Sequence, residues 1–199
     1  MNNKEKMLSE LPYNAESDGL PKERLSNKRK IYEYNNLKPD EQDRKNQLIH
    51  HILGKCGDLI NVEQPFHCDY GYNIEVGNNF YSNYNLTILD VAKVKIGENV
   101  LLGPNVSIYT AGHPLHPEPR NQGYEYGIGI TIGDNVWIGG HAVINPGVSI
   151  GNNVVIGSGS VVTKDIPDNA IAVGNPCKVQ RFISEEDKKY YYKNRKFNI

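Results

Sequence analysis

The segment TAGHPLHPEP, residues 110–119, contains two histidines and three prolines within an otherwise regular stretch of the chain. Imidazole has an unperturbed pKa of about 6.5, so a neutral histidine can take a proton from a hydroxyl group near pH 7. His113 lies between Gly112 and Pro114, at the start of the irregular segment, where its side chain can be held against the neighbouring structure. We therefore predict that His113 is a general base, and that His116 is a loop residue without a catalytic role.

The stretch around these histidines follows a six-residue repeat. Residues Ile96, Leu102 and Ile108 are six apart, and the same spacing resumes 24 residues after Ile108. A helix would scatter residues of this period around its axis, whereas short strands joined by glycine-assisted turns keep them on one side. The repeat therefore predicts an all-β solenoid. The clearest run of the repeat is Ile132, Ile138, Ile144, Ile150, Ile156 and Val162.

Three six-residue units would form one triangular coil of 18 residues. Residues 18 apart, such as Ile132 and Ile150, should then stack at the strand spacing of about 4.8 Å. The repeat extends from about Ile74 to Ile166, with a two-residue insertion between positions 90 and 95. Because the register survives from Ile108 to Ile132, residues 111–129 are predicted to leave the solenoid as a loop and return to it.

The two ends of the chain differ from the solenoid. Residues 1–60 are predicted to form an N-terminal helical cap, with two short helices between positions 21 and 54. Residues 61–183 are predicted to form the β-helix domain. Ser184 with Asp187 three residues later is typical of a helix start, so residues 184–199 are predicted to form a short C-terminal helix.

Composition limits the choice of partners and compartment. The chain has 22 Lys and Arg against 23 Asp and Glu, a net charge of -1, so we expect neither a nucleic acid nor a membrane as partner. Three cysteines without a CxxC spacing argue against a disulfide framework and a thiolate zinc site. The N-terminus lacks the apolar core of a signal peptide, which favours a cytoplasmic protein.

The chain resembles the maltose and galactoside O-acetyltransferases of the hexapeptide-repeat acyltransferases, through NFYSNYNLTILD (79–90), residues 96–116, residues 130–167 and GNPCKVQR (174–181). Residues 13–35 are similar to the helical cap of that subfamily. The resemblance implies a left-handed parallel β-helix, a homotrimer with active sites between subunits, and acetyl-CoA as co-substrate with no metal. It also implies that His113 activates an acceptor hydroxyl of a sugar or similar small polyol for direct attack on the thioester.

The same resemblance implies two groups of binding residues. Those on the acceptor side are Asn83, Tyr81 and Asp69. Those for the cofactor are Gly140, Ser158, Thr163, Lys164, Lys178 and Arg181. Backbone amides at Gly140 and Ser158 would line the pantetheine arm, and the cations at 178 and 181 suit the phosphates of coenzyme A.

The sequence departs from the family pattern at four positions. Ala15 and Val91 stand where galactoside-type members carry acidic residues, which leaves the identity of the acceptor open. Gly140 replaces a serine and Lys178 an arginine found in many relatives. Three other functions remain as alternatives: acetyl transfer to an amine or an antibiotic hydroxyl, a zinc hydratase like the carbonic anhydrases of this fold, and a catalytically silent structural trimer.

Overall fold

A computed structural model describes residues 1–197 of the chain. Most of them form a parallel β-solenoid whose strands stack into three flat sheets, which we call the first, second and third faces. The first face contains Lys55–Cys56, Ile74–Val76, Val94–Ile96, Ile130–Ile132 and Ser149–Ile150. The second face contains Ile60–Val62, Phe80–Ser82, Leu101–Leu102, Trp137–Ile138, Val155–Ile156 and Ala170–Val173. The third face contains Phe66–Cys68, Leu86–Leu89, Ser107–Tyr109, Val143–Ile144 and Val161–Val162.

The predicted stacking of residues 18 apart is confirmed. Ile132 pairs with Ile150 on the first face, and equivalent pairs occur on the other two faces. The inward residues form buried aliphatic columns, and Ile138 and Ile144 are completely inaccessible to solvent. Each such side chain contributes about 1.5–3 kcal/mol when it is removed from water, so the columns are the main source of stability.

The repeat starts earlier than the sequence indicates. The first coil begins at Lys55–Cys56 and pairs with Ile74–Val76, so the solenoid starts before the repeat recognised from about Ile74 and six residues before the domain start predicted at 61. Successive coils differ in length only where the chain passes from the third face to the first, which we call the third edge. The two-residue insertion after Ile88 lies at this edge, and so does the 111–129 loop.

The solenoid has two other edges between its faces. The first edge joins the first face to the second, and its described residues include a row of asparagines with positive φ at Asn79, Asn99, Asn135, Asn153 and Asn169. The second edge joins the second face to the third, and it contains Asn83, Gly103, Gly140 and Ser158. At Gly140 the coils approach closely, because an added Cβ would lie 2.9 Å from the carbonyl oxygen of Pro104.

The N-terminal cap contains three helices: α1 (Asn3–Leu8), α2 (Leu20–Asn35) and α3 (Gln42–Ile52). The two helices predicted between 21 and 54 are therefore confirmed as α2 and α3. Ile31, Tyr34 and Ile49 join the same buried cluster as the first coils, so the cap closes the end of the core.

The extruded loop carries its own small sheet. Its two arms, Ala111–Gly112 and Tyr124–Gly127, pair antiparallel, and Tyr13–Asn14 from the N-terminal segment adds a third strand. Between the arms lies α4 (Pro117–Asn121). The loop is thus a folded unit held by the N-terminal segment.

The predicted C-terminal helix is wrong in extent. Lys178–Phe182 first returns along the top of the second face as an antiparallel strand. The helix start at Ser184 is confirmed by a capping box with Asp187, but it begins only a 3₁₀-helix, Glu185–Lys189. A hairpin of Tyr190–Tyr192 and Arg195–Lys196 follows, because three consecutive tyrosines favour strand. Residues 198 and 199 of the prediction lie outside the described residues.

Among the helices that are described, none is both long and apolar enough to cross a membrane.

Candidate functional site

His113 lies where the first arm of the loop leaves the third edge, directly after Ala111–Gly112. Its side chain is 58% exposed, so the imidazole can reach a ligand. Nδ1 lies 3.4 Å from the carbonyl oxygen of Tyr124, which can only accept a hydrogen bond. This contact requires the proton on Nδ1 and leaves the lone pair of Nε2 available as a base.

The carboxylate of Glu125 lies close to the imidazole of His113. Oε2 of Glu125 lies 4.0 Å from Nε2 of His113, and the Glu125 side chain is only 16% exposed. The other oxygen, Oε1, accepts a hydrogen bond from the hydroxyl of Tyr13. The charge of Glu125 can therefore stabilise an imidazolium formed at His113. Sequence reasoning missed Glu125, because no local pattern links position 125 to positions 113 or 13.

Asp69 lies at the same edge, two coils below the loop. Burial raises the pKa of its carboxyl group, and the charge of Arg24 partly offsets this effect. The Asp69 carboxylate makes no hydrogen bond within the described residues, so it is free to contact a ligand. It lines an open groove of about 580 Å³ between α2 and the third face, together with Tyr32, His67 and Leu89.

The second edge carries Asn83 and the two predicted amide donors. Asn83 Oδ1 accepts from the backbone N–H of Tyr84, which fixes the side chain at the corner after Phe80–Ser82. The N–H groups of Gly140 and Ser158 make no hydrogen bond within the described part of the chain. Both amides are therefore available to a ligand along this edge. Tyr81 points outward from the adjoining second face.

The remaining predicted residues lie near the C-terminal end of the solenoid. Thr163 and Lys164 are exposed at the third edge of the last complete coil. Lys178 and Arg181 share the antiparallel strand at the C-terminal edge of the second face, and both are exposed. Arg181 is already engaged, because its NH1 and NH2 donate to Asp187 at 2.8 and 2.7 Å. This contact lowers the pKa of the Asp187 carboxyl group well below its usual range.

The predicted site residues therefore occupy two different corners of one protomer. His113, Asp69, Thr163 and Lys164 belong to the third edge, and the third face separates them from Asn83, Gly140 and Ser158. No single protomer brings the predicted base next to the predicted amide donors.

The other histidines near the site have structural contacts. His116 caps α4, because its Nδ1 accepts from the backbone N–H of Glu118 at 3.3 Å. His141 lies on the second edge and contacts Asn105 at 3.3 Å, so it is not near His113. Within residues 1–197, no group of three or more His, Cys, Asp or Glu side chains could hold a metal ion.

A solenoid of hexads with a histidine loop at one edge and free backbone amides at another defines a hexapeptide-repeat acyltransferase. Residues 6–57 match the maltose acetyltransferase hexapeptide capping motif, and residues 129–164 match the bacterial transferase hexapeptide family of six repeats. The chain belongs to the maltose and galactoside O-acetyltransferase family, and it is an acetyltransferase.

Similar sequences and solved structures support this membership over nearly the whole chain. The galactoside O-acetyltransferase of Escherichia coli is 51% identical over 179 residues, which is 90% of this chain and 88% of that protein. A maltose O-acetyltransferase from Clostridium difficile 630 is 54% identical with a TM-score of 0.92, covering 93% of this chain and 99% of the other. A galactoside acetyltransferase solved in complex with coenzyme A is 47% identical with a TM-score of 0.97, covering 100% of both chains.

Proposed function

We propose that this acetyltransferase transfers the acetyl group of acetyl-CoA to a hydroxyl of a sugar or similar small polyol, with His113 as the general base. The observation that carries the proposal is the exposed imidazole of His113, backed by the Glu125 carboxylate at 4.0 Å. Such a pair can accept a proton and hold the resulting positive charge, which direct attack by a neutral hydroxyl requires.

The reaction follows from this arrangement. Nε2 of His113 takes the proton of the acceptor hydroxyl while the hydroxyl oxygen bonds to the thioester carbonyl carbon. The carbonyl oxygen becomes an oxyanion, and a preorganised N–H donor stabilises it. When the tetrahedral intermediate collapses, the carbon–sulfur bond breaks and the imidazolium returns its proton to the departing thiolate. The products are the acetyl ester and coenzyme A, and no acyl-enzyme forms.

The second edge supports the binding of the donor. The free amides of Gly140 and Ser158 suit the amide carbonyls of a pantetheine arm, and the exposed Lys178 suits a phosphate. Arg181 could bind a second phosphate by exchanging its contact with Asp187. Thr163 and Lys164 would approach from the third edge. A coenzyme A complex of a relative with 47% identity supports the same donor.

The acceptor would lie at the third edge beside His113. The Asp69 carboxylate and the amide of Asn83 can bind sugar hydroxyls, and Tyr81 offers an aromatic surface. Two relatives are named for maltose and galactoside, and this favours a sugar. Amines and antibiotic hydroxyls remain test acceptors, because Ala15 and Val91 lack the acids of galactoside-type members.

The outward side chains of the first and second faces differ in polarity, and this difference supports a trimer. The outward column of the first face is polar: Lys55, Glu75, Lys95, Thr131 and Ser149. That of the second face is mainly apolar: Tyr81, Leu101, Trp137, Val155 and Ile171. Leu101 and Trp137 are 49% and 55% exposed. A second copy packed on this face would cover the apolar column and bring one protomer's second edge near its neighbour's third edge.

Replacing the base tests the proposal. His113→Ala should retain the trimer and its thermal unfolding midpoint, because the side chain is exposed and packs little. Its kcat should fall by about 10²- to 10⁴-fold, the usual contribution of a positioned base. Release of the coenzyme A thiol from acetyl-CoA measures the rate against mono- and disaccharides, simple thiogalactosides and aminoglycosides.

His116→Ala is the matched control, since it removes an exposed imidazole from the same loop and should keep kcat within about twofold. A His113→Ala enzyme with an unchanged kcat would refute the general-base role. A wild-type enzyme that acetylates aminoglycosides and no sugar would overturn the acceptor assignment.

A further inference from the structure

We propose that Tyr13 is a positioning residue, whose hydroxyl holds the Glu125 carboxylate in place beside His113. This inference rests on the proposed role of His113 as general base. Tyr13 belongs to the N-terminal segment, and 112 residues separate it from Glu125. Its ring is completely buried in a small cluster with Met7, Leu20 and other residues, outside the main solenoid core.

The hydrogen bond has a fixed direction. Burial and contact with the Glu125 carboxylate raise the pKa of Tyr13 far above its ordinary value, so the hydroxyl remains protonated and donates to Oε1. With Oε1 occupied, Oε2 is the oxygen that remains on the side of His113, at 4.0 Å from Nε2. The tyrosine thus selects one orientation of the carboxylate.

The backbone supports the same arrangement. Tyr13 lies directly opposite Glu125 in the antiparallel pairing, and Gly112, the residue before His113, lies opposite Tyr126 in the other. Glu10 also accepts a hydrogen bond from the backbone N–H of Gly129 at 2.8 Å, at the end of the loop. The N-terminal segment therefore holds the second arm of the loop in register, and the first arm pairs with the second.

Other charges near Glu125 do not replace this contact. Arg24 and Asp69 act on the cluster through their charges, and Arg24 donates to the hydroxyl of Tyr70 at 3.0 Å. None of these residues donates a hydrogen bond to Glu125 within the described residues. Loss of the Tyr13 hydroxyl would therefore free the carboxylate to rotate without changing any charge in the cluster.

Tyr13→Phe tests the inference, because it keeps the buried ring and removes only the hydroxyl. We expect kcat to fall roughly 10-fold, a part of the about 10²- to 10⁴-fold effect of the base itself. The KM for acetyl-CoA should stay unchanged, since the proposed donor contacts lie on other residues. A structural defect would instead lower the folded fraction or change both constants.

Tyr72→Phe is the matched control. Tyr72 packs against the same buried cluster, and its hydroxyl donates to a different carboxylate, Glu23, at 2.9 Å. It should therefore keep the wild-type kcat. An equal loss of kcat in Tyr72→Phe and Tyr13→Phe would overturn the inference, because the effect would then come from the cluster as a whole.

A double-mutant cycle tests whether Tyr13 acts through Glu125. Glu125→Gln removes the charge beside His113, so Tyr13→Phe should cause no further loss of kcat in that background. If the two losses multiply, Tyr13 does not act through Glu125 and the inference fails. Wild-type kinetics in Tyr13→Phe together with an inactive His113→Ala would refute only the positioning role, whereas an active His113→Ala would refute the proposed base itself.

Discussion

Asp90 is a buried acid at the third edge, close to the proposed acceptor position. Its Oδ1 accepts from the backbone N–H groups of Asp69 and Tyr70, both at 2.9 Å. Its Oδ2 is buried without a hydrogen-bond partner among the described residues. Burial raises the pKa of the Asp90 carboxyl group from 3.8 to about 7, although the backbone donors partly oppose the shift. A protonated Asp90 therefore suits the folded chain better than a charged one.

Asp90→Asn should make unfolding less sensitive to pH. The folded carboxyl group binds its proton more tightly than the unfolded one, so Asp90 reduces the free energy of unfolding as pH rises between about 4 and 7. Above pH 7 the reduction is complete, and below pH 4 it disappears. Urea unfolding of Asp90→Asn and wild type at several pH values measures the difference.

Asp40→Asn, at an exposed position, is the control and should give curves parallel to the wild type. Parallel curves for Asp90→Asn would contradict the assignment of this pH dependence to Asp90.

At the scale of the element, the first edge is held by a ladder of asparagine side chains. Asn135 donates to Asn153 Oδ1 at 3.0 Å and accepts from Asn99 Nδ2 at 3.0 Å. Its φ of 58° lies in the left-handed region, which asparagine tolerates better than alanine does. The ladder therefore joins neighbouring coils, and asparagine also suits the left-handed backbone of the turn.

Asn135→Ala should lower the free energy of unfolding by about 2 kcal/mol, through the strained turn and the two lost hydrogen bonds. Asn135→Gly keeps the left-handed turn and loses only the hydrogen bonds, so its cost should be about 1 kcal/mol. Thermal unfolding of the three proteins measures both effects. Equal midpoints for Asn135→Ala and wild type would show that the ladder contributes nothing.

The sequence predicts those parts of the fold that depend on residues close together in the chain. The register across residues 108–132 reveals the extruded loop, and with it the position of His113. The first coil was missed because Cys56 and Cys68 occupy core positions that are aliphatic elsewhere, and because a two-residue insertion separates it from the next coil. The contact between Tyr13 and Glu125 could not be predicted, since it depends on where distant segments meet.

At the scale of the whole molecule, the residues of the proposed site lie on two edges of one protomer that do not meet. His113 lies on the third edge, while Asn83 and the free amides of Gly140 and Ser158 lie on the second. The mainly apolar second face and polar first face indicate which side a second copy would cover. The repeat predicts these edges from sequence, but it says nothing about the packing of neighbouring protomers.

Mixing two inactive variants tests most directly whether the site takes its edges from two protomers. His113→Ala disables only the third edge and Asn83→Ala only the second, so each homotrimer should be strongly impaired. In trimers assembled from an equal mixture of differently tagged chains, one interface in four would combine two intact edges, and about one quarter of the wild-type thiol-release rate should return. Mixed trimers that remain as inactive as the separate variants would contradict a site shared between protomers.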